Sequence, residues 1–187
     1  MRAIALFLVT LGLAACGSSA KPVQLLDLEG LSVSPLLEID AKARVFVFVR
    51  IDCPIANRYM PELERIAAQF KPQEVEFQLV FCEREENADA IRTHLKAYDS
   101  SIGALQDPHH ALVEFSGVHV TPEAAVYAAD GELVYRGRVD DRHVDFGQAR
   151  AEPTRRDLVL ALEEFLAGEP VSVPRTEAVG CYIGATE

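Results

Sequence analysis

Cysteine is the most reactive residue type in this chain, and the context of Cys53 predicts an active thiol. Cys53 follows an apolar run, Val45 to Val49, and precedes Pro54. Because β-branched and aromatic residues fill the run, it predicts a strand that is buried on both faces. Proline is favoured in the first turn of a helix, and apolar residues then recur at helical spacing from Leu63 to Phe70. The sequence therefore places a thiol where a strand ends and a helix begins, and helix N–H groups favour its thiolate.

The same stretch resembles the active-site segment of the thioredoxin superfamily. In that family the nucleophilic cysteine opens a helix after a central strand, and a proline follows eight positions later. Here Pro61 stands eight positions after Cys53. The family's second cysteine, three positions after the first, is Ala56 in this chain. Any partner thiol must therefore come from elsewhere in the sequence.

A Thr-Pro pair, Thr121-Pro122, lies between Cys53 and a later Asp-Gly turn. In thioredoxin-like proteins a cis-proline preceded by Thr, Val or Ile starts the strand that faces the active cysteine. The resemblance therefore implies that Thr121, Pro122 and Pro54 shape a substrate groove, with a free backbone edge on which an extended substrate can pair. An ordinary proline at the start of a strand is the alternative interpretation.

Cys181 is the candidate partner of Cys53. It lies in a tail beyond the last predicted helix, where Pro170 and Pro174 favour an extended path that could cross the domain. We expect Cys181 to resolve Cys53 by forming a disulfide with it. A buried structural thiol and a bridge to Cys82 remain as alternatives, because geometry decides which disulfides form. Cys82 closes a predicted strand, where a cysteine usually acts as a small hydrophobe.

Polar residues near Cys53 predict how its thiolate is tuned. Asp52 would oppose the thiolate if it points inward, or it caps the helix by accepting N–H bonds. Arg58 and Arg138 are the available counter-charges, and Asn57 is expected to orient the turn. Arg138 also belongs to a charge cluster that favours an internal network of salt bridges over substrate contact. The members of this cluster are Arg136, Arg138, Asp140, Asp141 and Arg142.

The wider pattern is similar to a group of exported bacterial redoxin-domain proteins, described as thioredoxin-like or alkyl-hydroperoxide-reductase-like. The resemblance implies an α/β, thioredoxin-like fold and no organic cofactor, and the chain has no Gly-rich phosphate loop. The motifs that carry it are Asp52 to Tyr59, His94 to Tyr98, Thr121 to Ala124, Tyr135 to Arg142, and Gly180-Cys181.

Three other functions compete with thiol–disulfide exchange. A peroxiredoxin-like thiol peroxidase needs a Thr or Ser three residues before its cysteine, but Arg50 stands there. A Cu(I)-binding metallochaperone would combine Cys53 and Cys181 with one histidine, because Cu(I) favours thiolate and imidazole ligands. A non-catalytic binding module is the third alternative. The candidate copper-binding histidines are His94, His109, His110, His119 and His143.

The first residues predict export and a lipid anchor. Residues 1–15 have a basic start, an apolar run too short to span a bilayer, and Leu13-Ala14-Ala15 before Cys16. This order resembles the bacterial lipobox, in which the chain is cut before the cysteine and the cysteine is acylated. We expect residues 16–22 to be a flexible tether and the protein to face the periplasm from the cell envelope. A plain secretory signal with an incidental cysteine is the alternative.

Composition and element order predict one domain of mixed α/β type. The chain has 187 residues and a formal net charge of −11, which argues against a nucleic-acid partner. The expected partners are protein or small-molecule thiols and disulfides. Residues 23–168 are predicted to form a mixed sheet flanked by helices, preceded by an N-terminal β-hairpin extension and ended by a helix that Thr154 caps. Residues 169–187 form the C-terminal tail.

Overall fold

The computed structural model describes residues 22–37, 39–84 and 86–184. The predicted leader, Cys16 and the tether up to residue 21 lie outside the described residues. In the part of the chain that is described, no helix has the length and apolar character needed to cross a membrane.

Strands and helices alternate in the first two thirds of the chain, and short strands dominate the last third. A single 3₁₀ turn, Lys71–Gln73, ends the first helix. In chain order the elements are β1 (Leu25–Leu26), β2 (Ser32–Val33), β3 (Ala43–Val49), α1 (Pro54–Phe70), β4 (Val75–Phe81), α2 (Ala88–Ala97), β5 (Gly103–Gln106), α3 (Ala111–Ser116), β6 (Val120–Thr121), β7 (Glu123–Ala128), β8 (Leu133–Gly137), β9 (His143–Asp145), β10 (Gln148–Ala149), α4 (Asp157–Leu166) and β11 (Cys181–Tyr182).

The main sheet is mixed and has the order β2-β1-β5-β4-β3-β7-β8. β3 is parallel to β4 and antiparallel to β7, and β1 and β2 form the predicted N-terminal hairpin on one edge. Helices α1 and α4 cover one face of the sheet, and α3 covers the other. The predicted class, a mixed sheet flanked by helices with a hairpin extension, is confirmed.

The central strand β3 is buried on both faces, as its apolar run predicts. Val45 to Val49 are at most 1% exposed. Successive side chains of a strand point to opposite faces, so Val45, Val47 and Val49 pack under α1 while Phe46 and Phe48 pack under α3. Because the interior of the sheet anchors this strand, the turn that follows it has a fixed starting point.

The last helix begins differently from the prediction. Residue Thr154 does not cap it, because α4 begins at Asp157 and its N-cap is Arg156. The Thr154 hydroxyl instead donates to the carboxylate of Asp141, which also accepts the backbone N–H of Arg155 at 2.9 Å. A buried carboxylate therefore holds the segment before the helix.

The tail crosses the edge of the sheet before it reaches the end of β3. The carbonyl of Pro174 accepts the N–H of Arg136 at 3.0 Å, and the N–H of Thr176 donates back to Arg136 at 3.1 Å. At Gly137 a Cβ atom would lie 2.1 Å from the Thr176 hydroxyl, so only glycine permits this approach. The tail is thus extended along β8, while the domain boundary at residue 168 stays a prediction.

Candidate active site

The turn between β3 and α1 makes Cys53 the N-cap of the helix. Its backbone N–H donates to the carbonyl of Arg50 at 3.3 Å, and its sulfur accepts the N–H of Ala56 at 3.4 Å. Pro54 occupies the first helical position, as predicted. Asp52 does not cap the helix: its side chain is 71% exposed and pairs with Arg50 at 3.1 Å. The sulfur of Cys53 therefore caps the helix, where the sequence analysis had considered Asp52 as the cap.

Thr121 and Pro122 face Cys53, and the peptide bond between them is cis, as the resemblance implies. The Cys53 thiol donates to the carbonyl of Thr121 at 3.1 Å, and both residues are 0% exposed. The Thr121 hydroxyl is buried, and among the described residues no nitrogen or oxygen accepts from it or donates to it. It is therefore free to donate to the sulfur when Cys53 is ionised.

The tail brings Cys181 directly to this position. Strand β11 pairs antiparallel with β6, so that Cys181 lies opposite Thr121 and Tyr182 lies opposite Val120. Gly180 makes the approach possible, because a Cβ atom there would lie 2.1 Å from the carbonyl oxygen of Thr121. The backbone edge that we expected to be free for a substrate is therefore occupied by the protein's own tail.

The pKa values of the two thiols are shifted in opposite directions. Burial raises the pKa of Cys53, but hydrogen bonds from the Cys181 thiol, the Thr121 hydroxyl and the N–H of Ala56 reverse this effect and lower it below its ordinary value. Burial, followed by the proximity of the Cys53 sulfur, raises the pKa of Cys181 to about 11. Of the two thiols, Cys53 is therefore the one that ionises more readily.

The chain is similar to a known thiol–disulfide oxidoreductase and to several proteins of solved structure. The thiol–disulfide oxidoreductase ResA of Halalkalibacterium halodurans is 27% identical over 128 residues, which cover 68% of this chain and 71% of that protein. A hypothetical protein of Sinorhizobium meliloti has a TM-score of 0.75 at 24% identity, over 87% of this chain and 90% of its own. The exposed lipoprotein thioredoxin of Streptococcus pneumoniae has a TM-score of 0.54 at 19% identity, over 78% of this chain and 97% of its own. No family model matches the chain.

This chain has a thioredoxin-like fold. The fold predicted from the Cys53 segment is confirmed by the similarity to these proteins and by the mixed sheet. That the protein is exported, as the more specific group is, stays a prediction.

The third thiol of this thioredoxin-like protein lies on the other side of the sheet. Cys53 packs with the residues under α1, whereas Cys82 packs with Phe46 and Phe48 under α3. Burial raises the pKa of Cys82 far above its ordinary value, and its thiol donates to the carbonyl of Val49 at 3.5 Å. The geometry favours the structural interpretation of Cys82, because the sheet separates the two sulfurs.

The predicted supporting residues divide into those near the site and those held elsewhere. The side-chain amide of Asn57 donates to the carbonyl of Ile51 at 2.8 Å and so orients the turn. Arg58 is exposed and lines a groove beside Cys181. Arg138 is not positioned by Cys53, because its guanidinium is paired at 2.7 Å with the buried carboxylate of Asp157.

The charge cluster around Arg138 forms the internal network that the sequence predicts. Its basic members pair with carboxylates from other segments, while Asp140 accepts a hydrogen bond from the Tyr59 hydroxyl. The remaining pairs are Arg136 with Glu123 at 3.7 Å, Arg142 with Glu152 at 3.3 Å, and Arg150 with Asp141 at 3.6 Å.

Sequence reasoning missed two residues that hold the turn. Arg50 pairs with Asp52 and Glu83 at 3.1 Å each and donates to the carbonyl of Tyr182 at 3.1 Å, so it ties the tail strand to the turn. The Glu86 carboxylate accepts the N–H of Ile51 at 2.6 Å, and burial raises its pKa to about 7. The Arg50–Tyr182 and Ile51–Glu86 contacts have no local sequence signal, because each joins segments that are far apart in the chain.

An open groove of about 340 Å³ lies beside the tail cysteine. Apolar surface dominates its walls, which come from the start of α1 and from the β9–β10 hairpin. Phe146 at the hairpin tip is 58% exposed, and Val144 is 46% exposed. Cys181 lines the groove and Cys53 does not. The residues lining it are Pro54, Ile55, Arg58, His143, Phe146, Gly147, Ala149 and Cys181.

The candidate copper-binding histidines are dispersed. His94 packs between Phe81 and Tyr98, and a ring nitrogen of His110 is 2.7 Å from the carbonyl oxygen of Cys82. His143 is the histidine that shares the groove with Cys181. Within residues 22–37, 39–84 and 86–184, no three His, Cys, Asp or Glu side chains come together as a metal site requires.

Proposed function

We propose that this protein is a thiol–disulfide oxidoreductase in which Cys53 is the nucleophile and Cys181 is the resolving thiol. One observation carries the proposal: strand β11 holds Cys181 opposite Thr121, within hydrogen-bonding reach of the Cys53 sulfur. The lowered pKa of Cys53 supports its role, since the thiolate is the attacking species in thiol–disulfide exchange. A substrate disulfide of a protein or a small molecule is the expected electron acceptor.

The proposed reaction has two exchange steps. The Cys53 thiolate attacks one sulfur of the substrate disulfide, which forms a mixed disulfide and releases the first substrate thiolate. Cys181 then loses its proton and attacks the Cys53 sulfur, which forms the Cys53–Cys181 disulfide and releases the second thiolate. Two electrons pass from the protein to the substrate. Because Cys53 is 0% exposed beneath the tail, β11 must leave Thr121 before the first step and return for the second.

Disulfide mapping tests the proposed pair. The air-oxidised protein, digested without reductant, should give one linked peptide that contains Cys53 and Cys181, and Cys181→Ser should abolish it. Cys82→Ser is the matched control and should leave the link intact. A Cys53–Cys82 link, or no link at all, would contradict the proposal.

Two further assays distinguish the competing functions. Rapid consumption of hydrogen peroxide by the reduced protein would favour a thiol peroxidase. Tight retention of Cu(I), lost in Cys53→Ser, would favour a metallochaperone.

We also propose that the protein is a lipoprotein of the cell envelope, anchored through Cys16 and facing the periplasm. The lipobox-like residues before Cys16 support this location, and one structural neighbour is a lipoprotein thioredoxin. The protein should partition with membranes after cell fractionation, and Cys16→Ser should abolish lipid labelling. Equal membrane association of the two forms would contradict the anchor.

A further inference from the structure

We propose that the reductant that regenerates the oxidised protein is a protein dithiol, and that its thiolate attacks Cys181 rather than Cys53. The proposal rests on the proposed function, since it begins from the Cys53–Cys181 disulfide. The two partners then react at different sulfurs. The substrate reacts with Cys53 when the tail has left Thr121, and the reductant reacts with Cys181 when the tail is paired with β6.

Exposure distinguishes the two sulfurs. Cys53 is 0% exposed and is enclosed by Thr121, the start of α1 and the tail. Cys181 is partly exposed and lines the open groove. Because thiol–disulfide exchange requires direct access to the attacked sulfur, a reductant outside the folded protein reaches Cys181 first.

Leaving-group chemistry favours the same direction. Attack at Cys181 expels the Cys53 thiolate, which the N–H of Ala56 and the hydroxyl of Thr121 are placed to stabilise. Attack at Cys53 would expel the Cys181 thiolate, whose pKa is raised to about 11. Since the thiol of lower pKa leaves faster, both access and leaving-group acidity select Cys181 as the attacked atom.

The groove matches the surface around an exposed dithiol of a protein. Its apolar walls, formed by Ile55, Phe146 and Ala149, suit an apolar strip next to the attacking cysteine. Arg58 lines the groove, and its guanidinium charge favours an approaching thiolate. A small thiol would fill little of this volume, whereas a protein segment that bears a cysteine would cover Phe146.

Reduction of the Cys53–Cys181 disulfide takes two exchange steps. The first reductant thiolate bonds to the Cys181 sulfur, the Cys53–Cys181 bond breaks, and Cys53 leaves as the thiolate. The second reductant thiolate then attacks the reductant's own sulfur in this mixed disulfide and releases Cys181, which takes up a proton. The reductant loses two electrons and becomes a disulfide, and the protein regains its two thiols.

A trapping experiment identifies the attacked sulfur. The probe is a thioredoxin whose second active-site cysteine is serine, so that the mixed disulfide cannot be resolved. It is mixed with the oxidised full-length protein, the reaction is stopped with acid at early times, and the linked peptides are mapped. We expect thioredoxin on Cys181 and a free thiol at Cys53. Thioredoxin on Cys53 would overturn this inference alone, whereas absence of the starting disulfide would overturn the proposed function as well.

A charge placed in the groove tests where the reductant docks. Phe146→Glu should slow reduction by intact thioredoxin about tenfold relative to reduction by dithiothreitol, because an apolar anchor of the contact is lost. Leu31→Glu is the matched control: Leu31 is 64% exposed on the β1–β2 turn, remote from the thiols, and its replacement should leave both rates unchanged. An equal effect of Phe146→Glu on both reductants, or no effect, would overturn the groove as the docking surface.

Discussion

The sulfur of Cys53 is stabilised by contacts from three segments of the chain. Once Cys53 is ionised, Ala56 donates from the helix, the Thr121 hydroxyl from the facing strand and the Cys181 thiol from the tail. The first two remain when the tail leaves, but the third does not. The acidity of Cys53 is therefore linked to the position of the tail, and the thiolate is best stabilised when the resolving thiol is in place.

Glu86, which accepts the N–H of Ile51 in the β3–α1 turn, should make the stability of the protein depend on pH. Its pKa is raised to about 7: burial is the largest cause, the Ile51 N–H and Arg50 act against it, and the charges of Glu83 and Asp52 act with it. The folded protein therefore binds more protons than the unfolded chain between about pH 4.5 and 7, so the unfolding free energy must fall as pH rises through this window. We expect a loss of about 2 kcal/mol from pH 5 to 8, which Glu86→Gln removes.

Urea unfolding at several pH values measures this contribution. The wild-type midpoint should fall between pH 5 and 8, and the Glu86→Gln midpoint should fall less. Glu132→Gln changes an exposed carboxyl on the β7–β8 turn and should leave the wild-type slope unchanged. Parallel pH profiles for wild type and Glu86→Gln would mean that Glu86 ionises normally.

Strand β11 is held on β6 by a short pairing. It has two paired residues, and Gly180 lies directly against the carbonyl of Thr121. A strand this short contributes few hydrogen bonds, so its position depends on a close backbone approach rather than on a long ladder. Opening of the site therefore requires the loss of only a few contacts, including the bond from Arg50 to the carbonyl of Tyr182.

Gly180→Ala should lift the tail from the active cysteine. The added Cβ atom would lie 2.1 Å from the Thr121 oxygen, so the strand must shift; overpacking of this kind costs about 1–3 kcal/mol. We expect Cys53 to react faster with iodoacetamide and the Cys53–Cys181 disulfide to form more slowly. Gly184→Ala is the matched control, because no atom lies within 4 Å of its added Cβ. Equal alkylation rates in the two variants would show that β11 does not cover Cys53.

The elements that local patterns determine were predictable, and the contacts between distant segments were not. The run from Val45 to Val49 and the proline at position 54 specify the strand and the start of the helix by residue type alone. Thr154 was wrongly predicted to cap the last helix, and the partner of Arg138 in the predicted salt-bridge network was not identified, because the carboxylates Asp141 and Asp157 come close to them only after folding. Likewise, the sequence predicts an extended tail that carries Cys181, but not its register on Thr121.

The tail closes a large loop of the chain. More than a hundred residues separate Cys53 from Cys181, and most of the sheet lies between them in sequence. In the reduced protein this loop is already closed by β11 and by the contacts of Thr176 with β8. The folded state therefore needs little change to form the disulfide, whereas the unfolded chain would lose much conformational freedom.

This difference predicts that oxidation stabilises the protein. For a loop of this size the lost entropy of the unfolded chain corresponds to about 5 kcal/mol, so the oxidised form should unfold at higher urea concentration than the reduced form. Cys181→Ser should unfold like the reduced wild type under both conditions, and Cys82→Ser should keep the difference. If oxidation instead lowered the urea midpoint, the native fold would favour the two thiols over the disulfide, and the docked tail would then stabilise the reduced pair.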